Sequence, residues 1–424
     1  MRPVTARGFR DVLPDEAAVR EALRVQLSDS LLAWGYSRVE TPIVERLDML
    51  ESGAGPLADA VFKLTDSDGT LLALRPDLTV PIARLVASRF AERPGPHRLF
   101  YVADVFRERE SLRGQARQFT QAGVELIGAS GAAADAECVA VLADSLKTAG
   151  LKQFLVSVGS VEVLSAIIAA AGMPASWGDR VMVAAHQRNL VELRGLSSAK
   201  GVSPQAQKAL QEVPRLSGGV EAIAACRETV AGFGCDAALD ALEEMLGLLA
   251  AAGAAKDVVV DFSVMRSFDY YTGIVIEACA PGIGVPLGGG GRYDGVLGRL
   301  GAPLTAAGFA LGIERLAIAL AEQTGGPCLR GLDAVVGGDA ASALASAAML
   351  RRIGWRVRVS ERAGARLLDE AEREGARMAM VAAPGSLARL DRDGRAVGLT
   401  SEELSVPPTL AQPGVAQPDL GGGE

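Results

Sequence analysis

Polar residues at alternate positions of one predicted strand are the most informative chemical feature of the sequence. In the stretch 118–127, Gln121, Gly123 and Glu125 project to the same face, because side chains alternate along a strand. A glycine between an amide and a carboxylate leaves room for a small ligand. Arg107, on the preceding predicted strand, can hold a carboxylate or phosphate with its planar set of donors. The same pattern also fits a solvated hairpin whose polar residues face water.

A second segment places a carboxylate at the end of a predicted strand. Asp77 and Thr79 follow a strand that stops at Pro76. A carboxylate in this position can bind an ammonium group, which is a pure hydrogen-bond donor. An ordinary turn carboxylate is the alternative.

A charged and aromatic cluster, Arg266 to Tyr271, leads into an apolar strand. Tyr270 and Tyr271 are adjacent, so on a strand they must point to opposite faces, and one of them can line a pocket. A strand edge capped by Arg266 is the alternative.

Glycine is concentrated at positions 288–291, just before Tyr293, and this run predicts a tight loop. Glycine permits close approach of the backbone to a ligand. No nucleotide-binding glycine motif of the usual spacing is present, so the run alone does not indicate phosphate binding. Arg315, in the first turns of a predicted helix, can reach a phosphate or lie on the surface.

The composition is that of a globular protein of two or three domains. The 424 residues are 49% hydrophobic and 22% charged, with a formal net charge of −8, which provides no general surface for nucleic acid. No targeting signal or membrane-spanning run is visible, so we expect a cytoplasmic protein without membrane association. The five cysteines form no CxxC pair and only two histidines occur, so we expect no metal site, no disulfide framework and no cofactor.

These motifs must be positioned by a sheet with flanking helices. Two strands, 99–107 and 118–127, should form a long hairpin around the polar loop 108–117. A helical insertion is predicted at about 176–222, and alternating strands and helices beyond residue 331 predict a small α/β domain.

Six segments, taken in order, resemble the motifs of histidyl-tRNA synthetases, a class II family. They are Gly8 to Pro14, Gly35 to Pro42, Phe106 to Glu125, Arg266 to Tyr271, Arg292 to Gly295 and Gly308 to Arg315. The second of these is similar to the class II dimer motif. The resemblance implies an α+β fold, with a class II synthetase-like antiparallel sheet flanked by helices. It implies domains at 1–325 and 331–404, the latter a reduced anticodon-binding domain, and we expect 405–424 to be a disordered tail.

The resemblance also implies a histidine pocket. Carried over position by position, Asp77 would face the amino group, and Arg107 and Gln121 the carboxylate end. Glu125 and Tyr271 would face the imidazole. The remaining candidates beside them are Thr79, Arg266, Tyr270 and Tyr293.

The sequence departs from the family pattern on the nucleotide side. Where the family has Glu-Arg-Pro, this chain has Arg109-Glu110-Ser111, and Gln115 stands where an arginine grips ATP. Loss of that guanidinium removes stabilisation of transition-state charge. Gln115 and Arg315 are therefore interpreted as a vestigial nucleotide site, and no catalytic residue is expected.

Residues 74–84 and 118–128 look specifically like the family's paralogue in histidine biosynthesis. That resemblance implies a non-catalytic regulatory subunit, required by the short catalytic subunit of ATP phosphoribosyltransferase, with which it forms a hetero-oligomer. It further implies self-association as a class II-type dimer and histidine as a feedback effector. A tRNA partner is not expected, since residues 331–424 hold 11 Arg against 13 Asp plus Glu. A divergent active histidyl-tRNA synthetase and a synthetase-like binding module of another pathway are the alternatives.

Overall fold

The computed structural model describes residues 4–54, 61–90, 92–108, 116–264, 271–326 and 331–399. The chain divides into two units, Met1–Pro327 and Cys328–Glu424. The predicted tail, 405–424, lies outside the described residues. In the described part of the chain, none of the helices has the length and apolar character needed to cross a bilayer.

The strands of the first unit belong to two sheets. They are β1 (Ser37–Arg38), β2 (Val44–Arg46), β3 (Lys63–Thr65), β4 (Leu71–Leu74), β5 (His97–Phe106), β6 (Gln118–Ile127), β7 (Leu155–Ser160), β8 (Ser217–Gly218), β9 (Val258–Asp261), β10 (Ile274–Cys279), β11 (Gly288–Arg292) and β12 (Ala306–Gly312). The large sheet has the order β1-β5-β6-β12-β11-β10-β7-β9-β8, and a small one has the order β2-β4-β3. All pairs from β5 to β7 across the large sheet are antiparallel, as expected from the class II resemblance.

Helices cover the large sheet. They are α1 (Pro14–Ala33), α2 (Leu47–Ala54), α3 (Thr79–Arg89), α4 (Gly131–Thr148), α5 (Val161–Ala170), α6 (Ala175–His186), α7 (Leu190–Ser197), α8 (Pro204–Glu212), α9 (Val220–Thr229), α10 (Asp236–Ala251), α11 (Gly295–Arg299) and α12 (Ile313–Thr324). Leu23, Leu27 and Leu31 recur every four residues on α1 and are buried, which is the pattern of an amphipathic helix on a core. Helices α6 to α8 occupy the interval predicted to be helical.

The register of the central strands separates two faces of the large sheet. Tyr101 lies opposite Gly123, and Glu125 lies opposite Gly308. Val124 and Phe309, on the other face, join the main core together with residues of α1, α4 and α12. The face that carries Glu125 therefore looks away from the main core.

A smaller core covers this second face. Its buried members are Leu78, Ile82, Ala83, Val86, Leu99, Tyr101, Val105, Ile127, Tyr293, Val296, Leu297 and Ala306. Helix α3 supplies several of them, so it roofs the face on which the candidate residues lie.

The glycine run was wrongly predicted to be a loop. Residues Gly288–Arg292 form β11, which pairs with β10 on one side and with β12 on the other. A side chain at Gly288 or Gly290 would collide with main-chain oxygens of β12. The strand therefore depends on having glycine at these positions, although glycine has a low intrinsic preference for strands.

The small sheet has one covered and one exposed face. Ala73 of β4 is buried against Leu47, Leu50 and Val80. On the opposite face, Val44, Leu64, Leu72 and Leu74 lie together by the strand register, and Val44 and Leu64 are 38% and 42% exposed. The first unit thus carries a partly exposed apolar sheet face.

The second unit confirms the predicted alternation of strands and helices. Its elements are β13 (Ala334–Gly338), α13 (Ala340–Arg352), β14 (Val357–Val359), α14 (Ala365–Arg373), β15 (Met378–Ala383), β16 (Ser386–Leu390) and β17 (Ala396–Gly398). The sheet order is β14-β13-β15-β16-β17. The hairpin of β16 and β17 was not predicted from the sequence.

Candidate functional site

Three glycines form the floor of the site on the roofed face of the large sheet. The Tyr101 ring lies over Gly123, the Glu125 carboxylate over Gly308, and the Tyr271 ring over Gly291. A methyl group at any of these glycines would come within 3.0 Å of the side chain above it. The space above Gly123 was expected to admit a ligand, but the phenol of Tyr101 occupies it.

Glu125 is the most enclosed acid of the site. It is 2% exposed, and its carboxylate accepts hydrogen bonds from Thr79 Oγ1 at 2.9 Å and from the Tyr293 hydroxyl. Burial raises the pKa of Glu125 to about 8, against the two hydrogen bonds, which lower it. The negative charge of Asp77 raises it further. Near neutral pH, Glu125 is therefore predominantly a protonated acid that can both donate and accept.

Asp77 and Gln121 present unsatisfied acceptors inside the protein. Asp77 is 5% exposed and Gln121 is 8% exposed. Both Asp77 oxygens and Gln121 Oε1 lack a hydrogen-bond partner among the described residues. Burial raises the pKa of Asp77, whereas Arg107 and the nearby N–H groups of Val80 and Thr79, which lie outside hydrogen-bond geometry, lower it. Buried acceptors of this kind call for a ligand rich in donors.

Arg107 is oriented by its surroundings. Its Nε donates to the carbonyl oxygen of Pro76 at 2.9 Å, and its guanidinium lies 5.1 Å from the ring centre of Phe119. Burial raises the pKa values of Asp77 and Tyr101, and the charge of Arg107 partly opposes this rise. Among the described residues, Arg107 therefore supplies positive charge at one end of the site, beside its acids and phenols.

A buried ion pair holds the segment that carries Tyr293. Arg292 binds Asp135 of α4 through Nε at 3.0 Å and Nη2 at 2.6 Å, and both side chains are under 10% exposed. Arg292 also reaches Asp294 at 3.2 Å. The carbonyl oxygen of Arg292 accepts from the N–H of Thr272 at 2.8 Å, which ties the chain next to Tyr271 to the same anchor.

A network of polar and charged side chains lies on the opposite face of the hairpin of β5 and β6. Glu314 accepts from the N–H of Thr120 at 3.1 Å and pairs with Arg20 at 2.9 Å. Thr120 Oγ1 donates to Asp104 at 2.6 Å. Arg315, half-buried, donates from Nη1 to the carbonyl oxygen of Pro286 at 2.7 Å.

The structure places several of the predicted site residues close together. The structure brings together Asp77, Thr79, Arg107, Gln121, Glu125, Tyr271 and Tyr293, and it places Arg315 near the Gln121 end of β6 through Gly312. Three candidates, Arg266, Tyr270 and Gln115, lie outside the described residues.

Two residues of the site were missed. Tyr101 reads as one of several apolar residues of a strand, and only its register opposite Gly123 reveals that it enters the site. Asp135 stands in an alanine-rich helix, where the signal was a charge among apolar positions. Burying an acid in such a position requires a partner, and this rule would have flagged Asp135.

Comparison with known proteins identifies the family. The sequence profile described as histidyl-tRNA synthetase matches residues 8–316. The ATP phosphoribosyltransferase regulatory subunit of Moorella thermoacetica is 40% identical over 352 residues, which are 82% of this chain and 90% of that protein. The subunit of Symbiobacterium thermophilum is 38% identical over 91% of this chain and 96% of its own length. This chain belongs to the ATP phosphoribosyltransferase regulatory subunit family.

Solved structures agree with the predicted fold of this regulatory subunit family member. The structure of an ATP phosphoribosyltransferase regulatory subunit/histidyl-tRNA synthetase from Bacillus halodurans is 31% identical, covers 90% of this chain and 99% of its own, and has a TM-score of 0.79. A histidyl-tRNA synthetase from a Nostoc species has a TM-score of 0.80 at 20% identity, covering 95% of this chain and 98% of its own. The predicted class II synthetase-like fold is confirmed. The name regulatory subunit supports a non-catalytic role.

The raised pKa of Glu125 predicts a pH-dependent stability for this family member. The folded pKa of about 8 lies above the ordinary 4.5, so the unfolded chain loses this proton first as the pH rises. The destabilisation that results from ionising the buried Glu125 is absent below about pH 4.5 and complete above about pH 8. Relative to Glu125→Gln, the wild type should lose stability across this window, as measured by urea unfolding at a series of pH values.

Glu137 supplies a control of opposite sign. Burial raises its pKa, but hydrogen bonds from Arg98 and Tyr36 outweigh burial and leave the pKa lowered. Glu137→Gln should therefore be less stable than the wild type at neutral pH and approach it as the pH falls below about 4.5. If the free energies of unfolding of the wild type and Glu125→Gln changed in parallel with pH, an enclosed and protonated Glu125 would be contradicted.

Proposed function

We propose that this chain is the non-catalytic regulatory subunit required by the short catalytic subunit of ATP phosphoribosyltransferase, in the first step of histidine biosynthesis. We further propose that histidine binds in the site roofed by α3 and acts there as a feedback effector. The observation that carries the proposal is the pair of unsatisfied Asp77 oxygens, with Gln121 Oε1, beside a protonated Glu125.

The chemistry of histidine complements this arrangement group by group. Its ammonium offers three donors to a site with three unmet acceptor atoms, on Asp77 and Gln121. Its carboxylate suits the oriented guanidinium of Arg107. Its imidazole has one donor and one acceptor, and Glu125, as an acid that donates and accepts, can serve either tautomer. Tyr271 supplies an aromatic wall.

The proposed loss of catalysis concerns the nucleotide half of the site. The positions of the ATP-gripping residues, Arg109 to Gln115, lie outside the described residues, so this part of the proposal depends on the sequence alone. A glutamine in place of an arginine cannot neutralise a triphosphate. Binding of an amino acid without its activation is the expected result.

Arg107 offers a route by which the effector can act at a distance. Its backbone N–H donates to the carbonyl oxygen of Arg117 at 2.9 Å, which closes the base of the segment 108–116. A ligand carboxylate on Arg107 would bias the conformation of this segment and thereby the contact with the catalytic subunit. Couplings between such sites typically amount to about 1–3 kcal/mol.

Histidine should bind the isolated full-length chain, and Glu125→Ala should weaken binding by at least about tenfold. The variant removes the proposed partner of the imidazole and the acceptor of hydrogen bonds from the Thr79 and Tyr293 hydroxyls. Isothermal titration calorimetry measures the effect. The matched control is Glu277→Gln, a buried carboxyl of β10 that pairs with Arg188 at 2.6 Å and should bind histidine as the wild type does. Failure of the wild type to bind histidine at any concentration would end the effector proposal.

An active histidyl-tRNA synthetase is the competing function, and the placement of Arg107 and Arg315 favours it. The regulatory proposal predicts no histidine-dependent exchange of pyrophosphate into ATP by the purified chain. It also predicts that adding the chain to the short catalytic subunit raises the rate of phosphoribosyl transfer to ATP. Exchange at a rate typical of synthetases, without any effect on the catalytic subunit, would establish the enzyme instead.

The exposed face of the small sheet supports a proposed class II-type dimer. Val44 follows closely on the segment 35–42 that resembles the class II dimer motif, and Leu64, Leu72 and Leu74 share its face of the small sheet. Leu64→Glu should place a charge in the interface and shift the chain towards monomer in light scattering coupled to size-exclusion chromatography. Lys63→Glu, on the other face of the same strand, should leave the mass unchanged. A wild type that is monomeric at all concentrations would refute the dimer.

A further inference from the structure

A compact turn precedes α1. The hydroxyl of Thr5 donates to the carbonyl oxygen of Phe9 at 2.8 Å, and the N–H of Phe9 donates to the carbonyl oxygen of Ala6 at 3.0 Å. Gly8, within this turn, has a φ of +80°, in the left-handed region that favours glycine. We call residues 5–9 the N-terminal turn.

The N-terminal turn packs on Arg117 and Phe62. The carbonyl oxygen of Gly8 accepts from the N–H of Arg117 at 2.9 Å. The side chain of Arg117 covers Gly8 so closely that a methyl group there would lie 2.6 Å from Cδ. The rings of Phe9 and Phe62 are 5.7 Å apart, and the guanidinium of Arg117 lies 5.4 Å from the ring centre of Phe62. Backbone and side chain of Arg117 are therefore both in contact with this region.

Both contacts lead on to Arg107, which supplies positive charge to the proposed histidine site. The carbonyl oxygen of Arg117 accepts from the N–H of Arg107 at 2.9 Å. The carbonyl oxygen of Phe62 accepts from the N–H of Leu74, the last residue of β4, at 3.0 Å. Two positions further on, the carbonyl oxygen of Pro76 accepts from Arg107 Nε at 2.9 Å. The backbone and the guanidinium of Arg107 are thus held by two segments that meet at the N-terminal turn.

We propose that the N-terminal turn positions Arg107 for the carboxylate of the bound amino acid. This inference rests on the proposed histidine site and adds a positioning role for Gly8 and Phe9, which act through Arg117 and Phe62. A carboxylate pairs with a guanidinium through two hydrogen bonds in the guanidinium plane, so a rotation of that plane weakens both. The turn thereby determines how strongly the site prefers an amino acid to an amine without a carboxylate.

Histidinol, in which an alcohol replaces the carboxylate of histidine, separates this role from a general loss of stability. Phe9→Ala should weaken histidine binding about fivefold, the effect of about one weakened hydrogen bond, and leave histidinol binding unchanged. Gly8→Ala forces a methyl group against Arg117 and should show the same selective loss. Phe9→Tyr keeps the ring and should bind both ligands as the wild type does. Isothermal titration calorimetry on the full-length chain measures all four affinities. Phe9→Leu replaces Phe9→Ala if that variant does not fold.

Arg10→Ala is the matched control. Arg10 follows directly on the N-terminal turn, but its side chain is exposed and pairs with Glu16 of α1, so both affinities should stay those of the wild type. Equal losses for histidine and histidinol in the variants of Gly8 and Phe9 would overturn the proposal, because they indicate a structural role alone. An unchanged affinity for histidine in these variants would overturn it as well. A wild type that binds neither ligand would instead refute the histidine site itself, and this inference with it.

Discussion

Removing two carboxylates from water is the constraint on which the candidate site depends. Burial raises the pKa values of both Asp77 and Glu125, and the charge of Asp77 raises that of Glu125 further, whereas the cation Arg107 lowers that of Asp77. Glu125 reduces the free-energy cost of its burial by keeping its proton and by accepting hydrogen bonds from two hydroxyl groups. Both oxygens of Asp77 lack a hydrogen-bond partner within the described chain. A site of this kind is stabilised by a ligand that brings positive charge and N–H donors.

The surrounding fold is arranged to maintain this enclosure. The Glu125 carboxylate fits against the sheet because Gly308, opposite it on the next strand, has no side chain. Tyr293 reaches Glu125 from a segment that the ion pair between Arg292 and Asp135 holds in place. The ion pair is itself buried, so loss of either partner would leave an uncompensated charge. One helix of the main core, α4, thereby fixes a side chain on the opposite face of the sheet.

Local patterns in the sequence were sufficient for much of the fold. The hairpin of β5 and β6 consists of two largely apolar runs separated by a polar loop, and the second unit alternates strands and helices at ordinary lengths, so both were predicted. Strand β11 was not, because glycine favours turns when it is considered alone. Its strand conformation is imposed by β10 and β12, which lie far away in the sequence.

The site could be anticipated where one strand or one motif carries the chemistry, as at Asp77, Gln121 and Glu125. It could not be anticipated where a role arises from register or from packing between distant elements. Tyr101 enters the site because β5 pairs with β6 in a particular register. Asp135 matters because α4 passes beneath Arg292, a relation between residues 157 positions apart.

The glycine floor has an evolutionary consequence. Any single replacement at Gly123, Gly291 or Gly308 would drive a methyl group into a side chain already in place, so the floor cannot be remodelled one step at a time. Descendants of this sequence that acquire another ligand must instead vary the groups above the floor, Tyr101 and Tyr271 foremost. Related proteins that recognise different ligands should therefore differ at these aromatic residues and keep the three glycines.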